Sequence, residues 1–93
     1  MKIGLLQFKI GIPWAVSLKD KRAVINGLKK RISNKFNVAV SETGDLDLKN
    51  SSEISIVTVS HSAAHNDRIL SSVVNYTQTY KDIDLVDYRT EQI

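Results

Sequence analysis

The feature that most restricts the fold is a helical pattern of apolar residues between two segments in which hydrophobicity alternates. Over residues 18–34 the apolar side chains recur at the spacing of one helix face, whereas residues 1–12 and 36–41 alternate with a period of two. Ser17 stands three residues before Asp20, and an N-cap serine accepts a hydrogen bond from the backbone N–H three positions later. The pattern therefore predicts a strand, a capped helix and a second strand.

The second half of the chain repeats this order after a turn. The stretch from Thr43 to Ser52 is rich in turn formers and predicts a hairpin connection, and Glu53 to Val59 alternates as a third strand. Ser60 or Ser62 is the expected cap of a second helix ending near residue 80, and Asp82 to Arg89 is the expected fourth strand. The expected buried stripe of that helix comprises Ala63, Asn66, Leu70, Val73, Val74 and Thr77.

The order β-α-β-β-α-β has few compact solutions. Right-handed crossovers that leave room for the hairpin strand give a four-stranded antiparallel sheet in the order 4-1-3-2, with both helices on one face. We therefore predict an α+β protein of the ferredoxin-like split βαβ class. A chain of 93 residues has room for one sheet and one helix layer, so we expect a single domain over residues 1–93.

Charge is distributed unevenly along the chain. Residues 17–35 contain seven Lys or Arg and one Asp, a net charge of +6, whereas residues 36–93 contain four against nine, a net charge of −5. The charge of the molecule is thus polarised, although its overall net charge is only +3. Cations along one helix suit phosphate neutralisation, although a solvated basic face is the alternative. The predicted phosphate contacts are Lys19, Arg22, Lys29 and Lys30.

Two motifs carry a family resemblance. Ser-Leu-Lys-Asp-Lys-Arg at residues 17–22 is followed fourteen residues later by Phe-Asn-Val-Ala-Val-Ser-Glu at residues 36–42. Together with Ile12-Pro13 and Asp47-Leu48, this pattern resembles the bacterial YlxP-like family, a domain of unknown function, over nearly the whole chain.

The chain departs from that family pattern at Lys49, where an aromatic residue is common, and at Trp14, where small residues are usual. The resemblance implies the ferredoxin-like fold. Through the family's gene neighbourhood with transcription, translation-initiation and ribosome-maturation factors, it also implies a link to RNA or ribosomes. It supplies no catalytic residues.

The function predicted from these features is a non-enzymatic, RNA- or ribosome-associated accessory module. The alternative is a protein-interaction module or homodimer that uses the uncovered sheet face, where Ile3 and Leu5 lie beside Gln7 and Lys9.

The absence of cysteine excludes disulfides, thiolate metal sites and thiol catalysis. Apolar runs are too short to span a membrane, so we expect a cytoplasmic protein without a membrane partner.

Two short motifs resemble parts of metal sites. His61 and His65 are four residues apart, but two ligands alone make no site, and surface or capping roles are expected. Asp45-Leu46-Asp47 begins like a calcium loop without the later oxygen ligands, and is interpreted as a turn. We predict no metal and no cofactor.

Lys21 is unusual because the helical periodicity places it inside the apolar sector. The start of the first helix and the end of the second strand lie at the same end of the predicted sheet. Lys21 should therefore meet Glu42 or the acidic loop bearing Asp45 and Asp47. The hypothesis is a partly buried pair with Glu42 that orders the loop from Thr43 to Ser52, and the alternative is a Lys21 that extends into water. Trp14 is expected at this end, where it covers the core, stacks on a base or anchors a protein partner. The second candidate binding site is this rim, formed by Trp14, Lys21, Glu42 and Asp47.

Overall fold

The structure, a computed structural model, describes all 93 residues and contains four strands and two helices. In chain order they are β1 (Lys2–Gly11), α1 (Leu18–Lys35), β2 (Ala39–Gly44), β3 (Ser51–Ser60), α2 (Ala63–Gln78) and β4 (Asp84–Gln92). Neither helix combines the length and the apolar character that crossing a membrane requires.

The strands form one antiparallel sheet in the order β2-β3-β1-β4. Counted from the opposite edge, this is the order 4-1-3-2 expected from the crossover rules. β1 pairs with β3 along its whole length, from Lys2 opposite Ser60 to Gly11 opposite Ser51. β4 pairs with the other edge of β1. The start of the basic helix α1 and the β2–β3 hairpin are therefore far apart in the sequence but lie at the same end of the sheet.

One core lies between the sheet and both helices. Alternate residues of β1 and β3 point toward the helices, and the helices contribute residues at three- and four-residue spacing, as the two periodicities predicted. Both helices consequently cover the same face. The buried apolar residues are Leu6, Phe8, Ile10, Ile12, Ala15, Ile25, Leu28, Ile32, Ile54, Ile56, Leu70, Val73, Val74 and Ile83.

The second strand begins later than the alternation predicted. Phe36 is the C-cap of α1, and its N–H donates to the carbonyl of Ile32 at 2.9 Å. The N–H of Val38 donates to the carbonyl of Phe36, so the ladder starts only at Ala39. The predicted strand over residues 36–41 was therefore wrong at both ends, because β2 comprises Ala39–Gly44. Alternate residues from Phe36 pack against the core before any strand pairing begins, which explains the misleading pattern.

The hairpin connection is shorter than the polar composition indicated. β2 extends through Gly44 and β3 begins at Ser51, which leaves residues 45–50 as the loop. Polar residues can extend the pairing of β2 with β3 because their side chains have hydrogen-bond partners on the neighbouring strand. The Ser52 hydroxyl is buried and donates to Glu42 at 2.6 Å. Composition alone marks polar residues as turn formers and does not reveal such partners.

The second helix and the last strand also differ from the predictions at their ends. Of the two candidate caps, Ser62 is the one used, and it accepts from the backbone N–H of His65 at 3.2 Å. The helix ends at Gln78, short of residue 80. Asp82 has a φ of 72°, which a strand does not accommodate, so β4 starts two residues later than predicted. β4 then continues past Arg89 to Gln92.

Candidate functional site

The exposed side of α1 carries the cations predicted to contact phosphates. Lys19, Arg22 and Lys30 are exposed, whereas Lys29 is half-buried. The two ion pairs of the chain belong to Lys9 and Lys21. Six cations of α1 therefore have no carboxylate within ion-pairing distance, and their charge is available to an external anion. They are Lys19, Arg22, Lys29, Lys30, Arg31 and Lys35.

These six cations point in different directions around the helix. At 100° per residue, Lys19 and Lys30 lie near the centre of the exposed side, and Arg22 and Lys29 lie on one flank. Arg31 and Lys35 lie on the other flank, which faces α2. The sequence analysis did not place these two in a site. The available signal was a pair of tyrosines four residues apart, Tyr76 near the end of α2 and Tyr80 just beyond it.

Lys21 is buried at the start of α1, with only 2% of its surface exposed. Its Nζ lies 2.9 Å from Oε2 of Glu42, so the predicted pair is confirmed. The same Nζ donates to the carbonyls of Asp45, at 2.5 Å, and Leu48, at 2.7 Å. The three hydrogens of the ammonium thus have three acceptors, which offsets the cost of removing the charge from water. Lys21 fastens the 45–50 loop to α1.

Asp45 makes the second set of contacts in this loop. Ser51 donates to its carboxylate at 2.7 Å, and the Nζ of Lys9 lies 3.5 Å away. The hydrogen bond from Ser51 holds the pKa of Asp45 below its ordinary value; partial desolvation opposes this, and the positive charges of Lys9 and Lys21 assist it. The backbone at Asp45 has a φ of 57°, a conformation that Asp adopts more readily than most residues.

Asn50 connects the two loops at this end of the sheet. Its Nδ2 donates to the carbonyls of Ile12, at 3.1 Å, and Ala15, at 2.6 Å. In return, the backbone carbonyl of Asn50 accepts from the N–H of Ile12 at 2.8 Å. The sequence identified Asn50 only as a turn former, because its partners lie more than thirty residues away. The β1–α1 and β2–β3 loops are thereby held together.

The four predicted rim residues do not form a single cluster of contacts. Lys21 and Glu42 are paired, but the indole Nε1 of Trp14 donates to the carbonyl of Asp82 at 2.8 Å, in the α2–β4 connection. Trp14 keeps 46% of its surface exposed. Asp47 is exposed and makes no ion pair. The network of the rim is therefore Lys21, Glu42 and backbone carbonyls, with Trp14 directed to another loop.

The family assignment follows from comparison with known proteins. Residues 3–90 match the family described as Protein of unknown function (DUF503). The chain belongs to the DUF503 family. It is 35% identical over 89 residues to a protein described as Uncharacterized protein YlxP of Bacillus subtilis (strain 168), a match that covers 96% of this chain and 97% of that protein. The resemblance carried by residues 17–22 and 36–42 is confirmed.

The uncovered sheet face of this DUF503 protein is polar across its middle. Gln7 accepts from Nε of Arg89 at 2.9 Å and donates to Ser55 at 3.2 Å. The Ser55 hydroxyl lies 2.6 Å from that of Thr43, so the chain of hydrogen bonds crosses all four strands. Apolar residues adjoin one another only at one end of the face, where Ile3 and Leu5 pair with Val59 and Val57.

The two histidines of the DUF503 chain, His61 and His65, are both exposed. No group of three or more His, Cys, Asp or Glu side chains lies close enough to hold a metal ion.

Proposed function

We propose that this DUF503 protein is a cytoplasmic, non-enzymatic RNA- or ribosome-associated accessory module of the ferredoxin-like class, which binds phosphates through the exposed side of α1. The observation that carries the proposal is the set of six α1 cations without ion-pair partners. A surface whose cations were already paired would gain little from meeting phosphates. Unpaired cations that neutralise phosphates release the counterions condensed on the nucleic acid, which is the main source of sequence-independent nucleic-acid affinity.

The geometry favours the helix over the sheet as the RNA-binding surface. Folds that bind RNA on a four-stranded sheet stack bases on exposed aromatic residues of the central strands. Here the one aromatic residue of β1 is Phe8, which is 1% exposed and faces the helices. β3 contains no aromatic residue. The uncovered sheet face therefore offers no ring on its central strands for a base.

The proposal is tested by charge reversal and salt. Because Lys29 is half-buried, its reversal risks unfolding, so the variant carries Lys19→Glu, Arg22→Glu and Lys30→Glu. Ribosome co-sedimentation and RNA binding are measured over a salt series. For the parent protein, we expect log affinity to fall by about 0.7–0.9 per phosphate contact for each unit of log salt. The variant should lose most of the affinity and of this slope.

A matched control separates position from net charge. The variant with Lys2→Glu, Lys49→Glu and Arg68→Glu changes the net charge by the same amount at exposed positions outside α1. It should retain nearly all of the RNA affinity, apart from a small uniform loss. If the two triple variants bind equally, or if affinity does not depend on salt, α1 is not a phosphate-binding surface.

A protein-interaction role remains the second candidate, supported by the apolar end of the uncovered sheet face. Val59 is 53% exposed there and adjoins Ile3 and Val57. A partner or a second copy bound to this patch would bury apolar area, so its affinity should resist salt. Val59→Lys should abolish such binding without affecting RNA binding, whereas reversal of the α1 cations should do the opposite.

A further inference from the structure

α1 and α2 enclose an open cleft with aromatic walls and a basic rim. Its volume is about 360 Å³, and α1 contributes Arg31 while the end of α2 and the following turn contribute the rest. A neighbouring cleft of about 350 Å³ shares Arg31 and Tyr76 and adds Asn34 and Lys35. The residues that line the first cleft are Arg31, Tyr76, Thr79, Tyr80, Lys81 and Asp82.

Tyr76 and Tyr80 line this cleft and belong to a cluster of three aromatic rings. Phe36 meets Tyr76 edge to face with centroids 6.1 Å apart, and Tyr76 meets Tyr80 in the same way at 5.9 Å. Both tyrosines are half-buried, and each ring packs against a neighbouring ring. Rings held in this way have little freedom to lose when a ligand stacks on them.

Cations stand beside both tyrosines. The guanidinium of Arg31 lies 5.9 Å from the centroid of Tyr80, and Nζ of Lys35 lies 5.6 Å from that of Tyr76. These distances lie within the limit of a cation–π contact, about 6 Å, and neither cation has a carboxylate partner that would compete with a phosphate. Lys81 adds a third charge against one carboxylate, Asp82, and neither belongs to an ion pair.

We propose that this cleft binds single-stranded RNA, with bases stacked on Tyr76 and Tyr80 and phosphates contacted by Arg31, Lys35 and Lys81. The inference rests on the proposed function and deepens it, because it extends the exposed side of α1 toward α2 and specifies unpaired bases. Partly exposed rings beside unpaired cations are the combination that single-stranded nucleic acids require. A duplex keeps its bases stacked inside, so it would meet the charges but not the rings.

The experiment compares two RNAs on ring variants of the whole protein. The probes are a fluorescein-labelled oligouridine of about ten nucleotides and an RNA duplex with the same number of phosphates. In Tyr80→Leu we expect oligouridine affinity to fall roughly tenfold while duplex affinity is unchanged. Tyr80→Phe, which keeps the ring, should bind both RNAs like the parent. The fluorescence of Trp14, which is hydrogen-bonded to Asp82 at the cleft, should change with oligouridine only.

A pair of neighbouring cations provides a test that does not alter the core. Arg31 and Lys30 are both exposed and unpaired, but only Arg31 lines the cleft. Arg31→Gln should weaken oligouridine binding several-fold more than duplex binding, whereas Lys30→Gln should weaken both equally. This comparison remains decisive if Tyr80→Leu does not fold.

The outcomes separate the cleft from the proposed function. Steep salt dependence with equal effects of Arg31→Gln and Lys30→Gln, and no effect of Tyr80→Leu, would refute the cleft while leaving phosphate binding by α1 intact. Salt-insensitive binding of both RNAs would refute the proposed function itself. Tighter binding of an oligothymidine of the same length would overturn the assignment of the cleft to RNA.

Discussion

The seven cations of α1 have two different fates, decided by their position around the helix. Lys21 falls in the buried sector with Ile25, Leu28 and Ile32 and has three acceptors, whereas the other six are unpaired. A buried ammonium is tolerated only where its hydrogens are all satisfied. At the residue scale, Lys21 is therefore structural and its helix neighbours are available for binding.

Lys21→Met should destabilise the fold by about 3 kcal/mol, because it leaves a carboxylate and two loop carbonyls without their partner. The free energy of unfolding from urea denaturation measures this cost. The exposed control, Lys30→Met, should change stability by less than about 0.5 kcal/mol. We also expect faster amide hydrogen exchange in residues 45–50 of Lys21→Met, because the loop loses its anchor.

The contribution of Glu42 to this effect is isolated by a double variant. Lys21→Met combined with Glu42→Gln should recover part of the lost stability, because no charge then remains uncompensated at the site. Unchanged stability and unchanged exchange in Lys21→Met alone would show that the ammonium does not order the loop.

Asp45 should make the stability of the fold depend on acid pH. Its pKa is lowered in the folded state, chiefly by the hydrogen bond from Ser51, so its contribution is present above the unfolded-state pKa and is lost as the pH falls through the folded-state pKa. Asp45→Asn keeps a side chain that accepts the left-handed backbone. The difference in unfolding free energy between the parent and Asp45→Asn should be largest at neutral pH and shrink in acid. A difference independent of pH would contradict this assignment.

At the scale of elements, α1 supports the core with one side and presents charge with the other. Its start is fixed by Ser17, which accepts from the N–H of Asp20 at 3.1 Å, and by the Lys21 contacts with the β2–β3 loop. Its last turns pack beside α2 through Phe36 and Tyr76. The cations are therefore carried by a helix that is held at both ends.

Gly27→Ala should stabilise α1 by about 0.5–1 kcal/mol, because glycine is a poor residue for a helix interior. The new Cβ would lie 3.5 Å from the hydroxyl oxygen of Tyr80, an ordinary contact. Gly44→Ala is the contrasting control, since its Cβ would lie 2.8 Å from that of Glu53 and should destabilise the fold. Urea denaturation of both variants checks the two signs, and a destabilised Gly27→Ala would mean that Tyr80 cannot accommodate the methyl group.

At the scale of the whole molecule, the positive charge of α1 and the irregular pairing of the two edge strands both favour contact with a partner through α1. The pairing of β4 with β1 is interrupted between Lys9 and Ile10, and the pairing of β2 with β3 between Glu42 and Gly44. Irregularities of this kind at edge strands hinder pairing with another chain. An interaction through the sheet is thereby directed to the apolar end of the uncovered face. The salt dependence expected of RNA binding is likewise a property of the polarised molecule rather than of one residue.

The sequence by itself determined the order of elements, the faces of β1 and the cap of α1, and it predicted Glu42 as a partner of Lys21, with an extension of Lys21 into water as the alternative. Periodicity and capping are local properties, and the crossover rules leave so few topologies that the shared end of the sheet follows from them. A buried lysine in such a topology has few carboxylates within reach.

The tertiary structure alone decided where β2 begins, how Asn50 joins two loops and which cations face α2. Arg31 and Tyr80 are neighbours because α1 and α2 pack with a particular offset, and that offset is set by the fit of the whole core. No local pattern encodes it. The candidate cleft therefore emerged only from the packed molecule, although each of its residues is visible in the sequence.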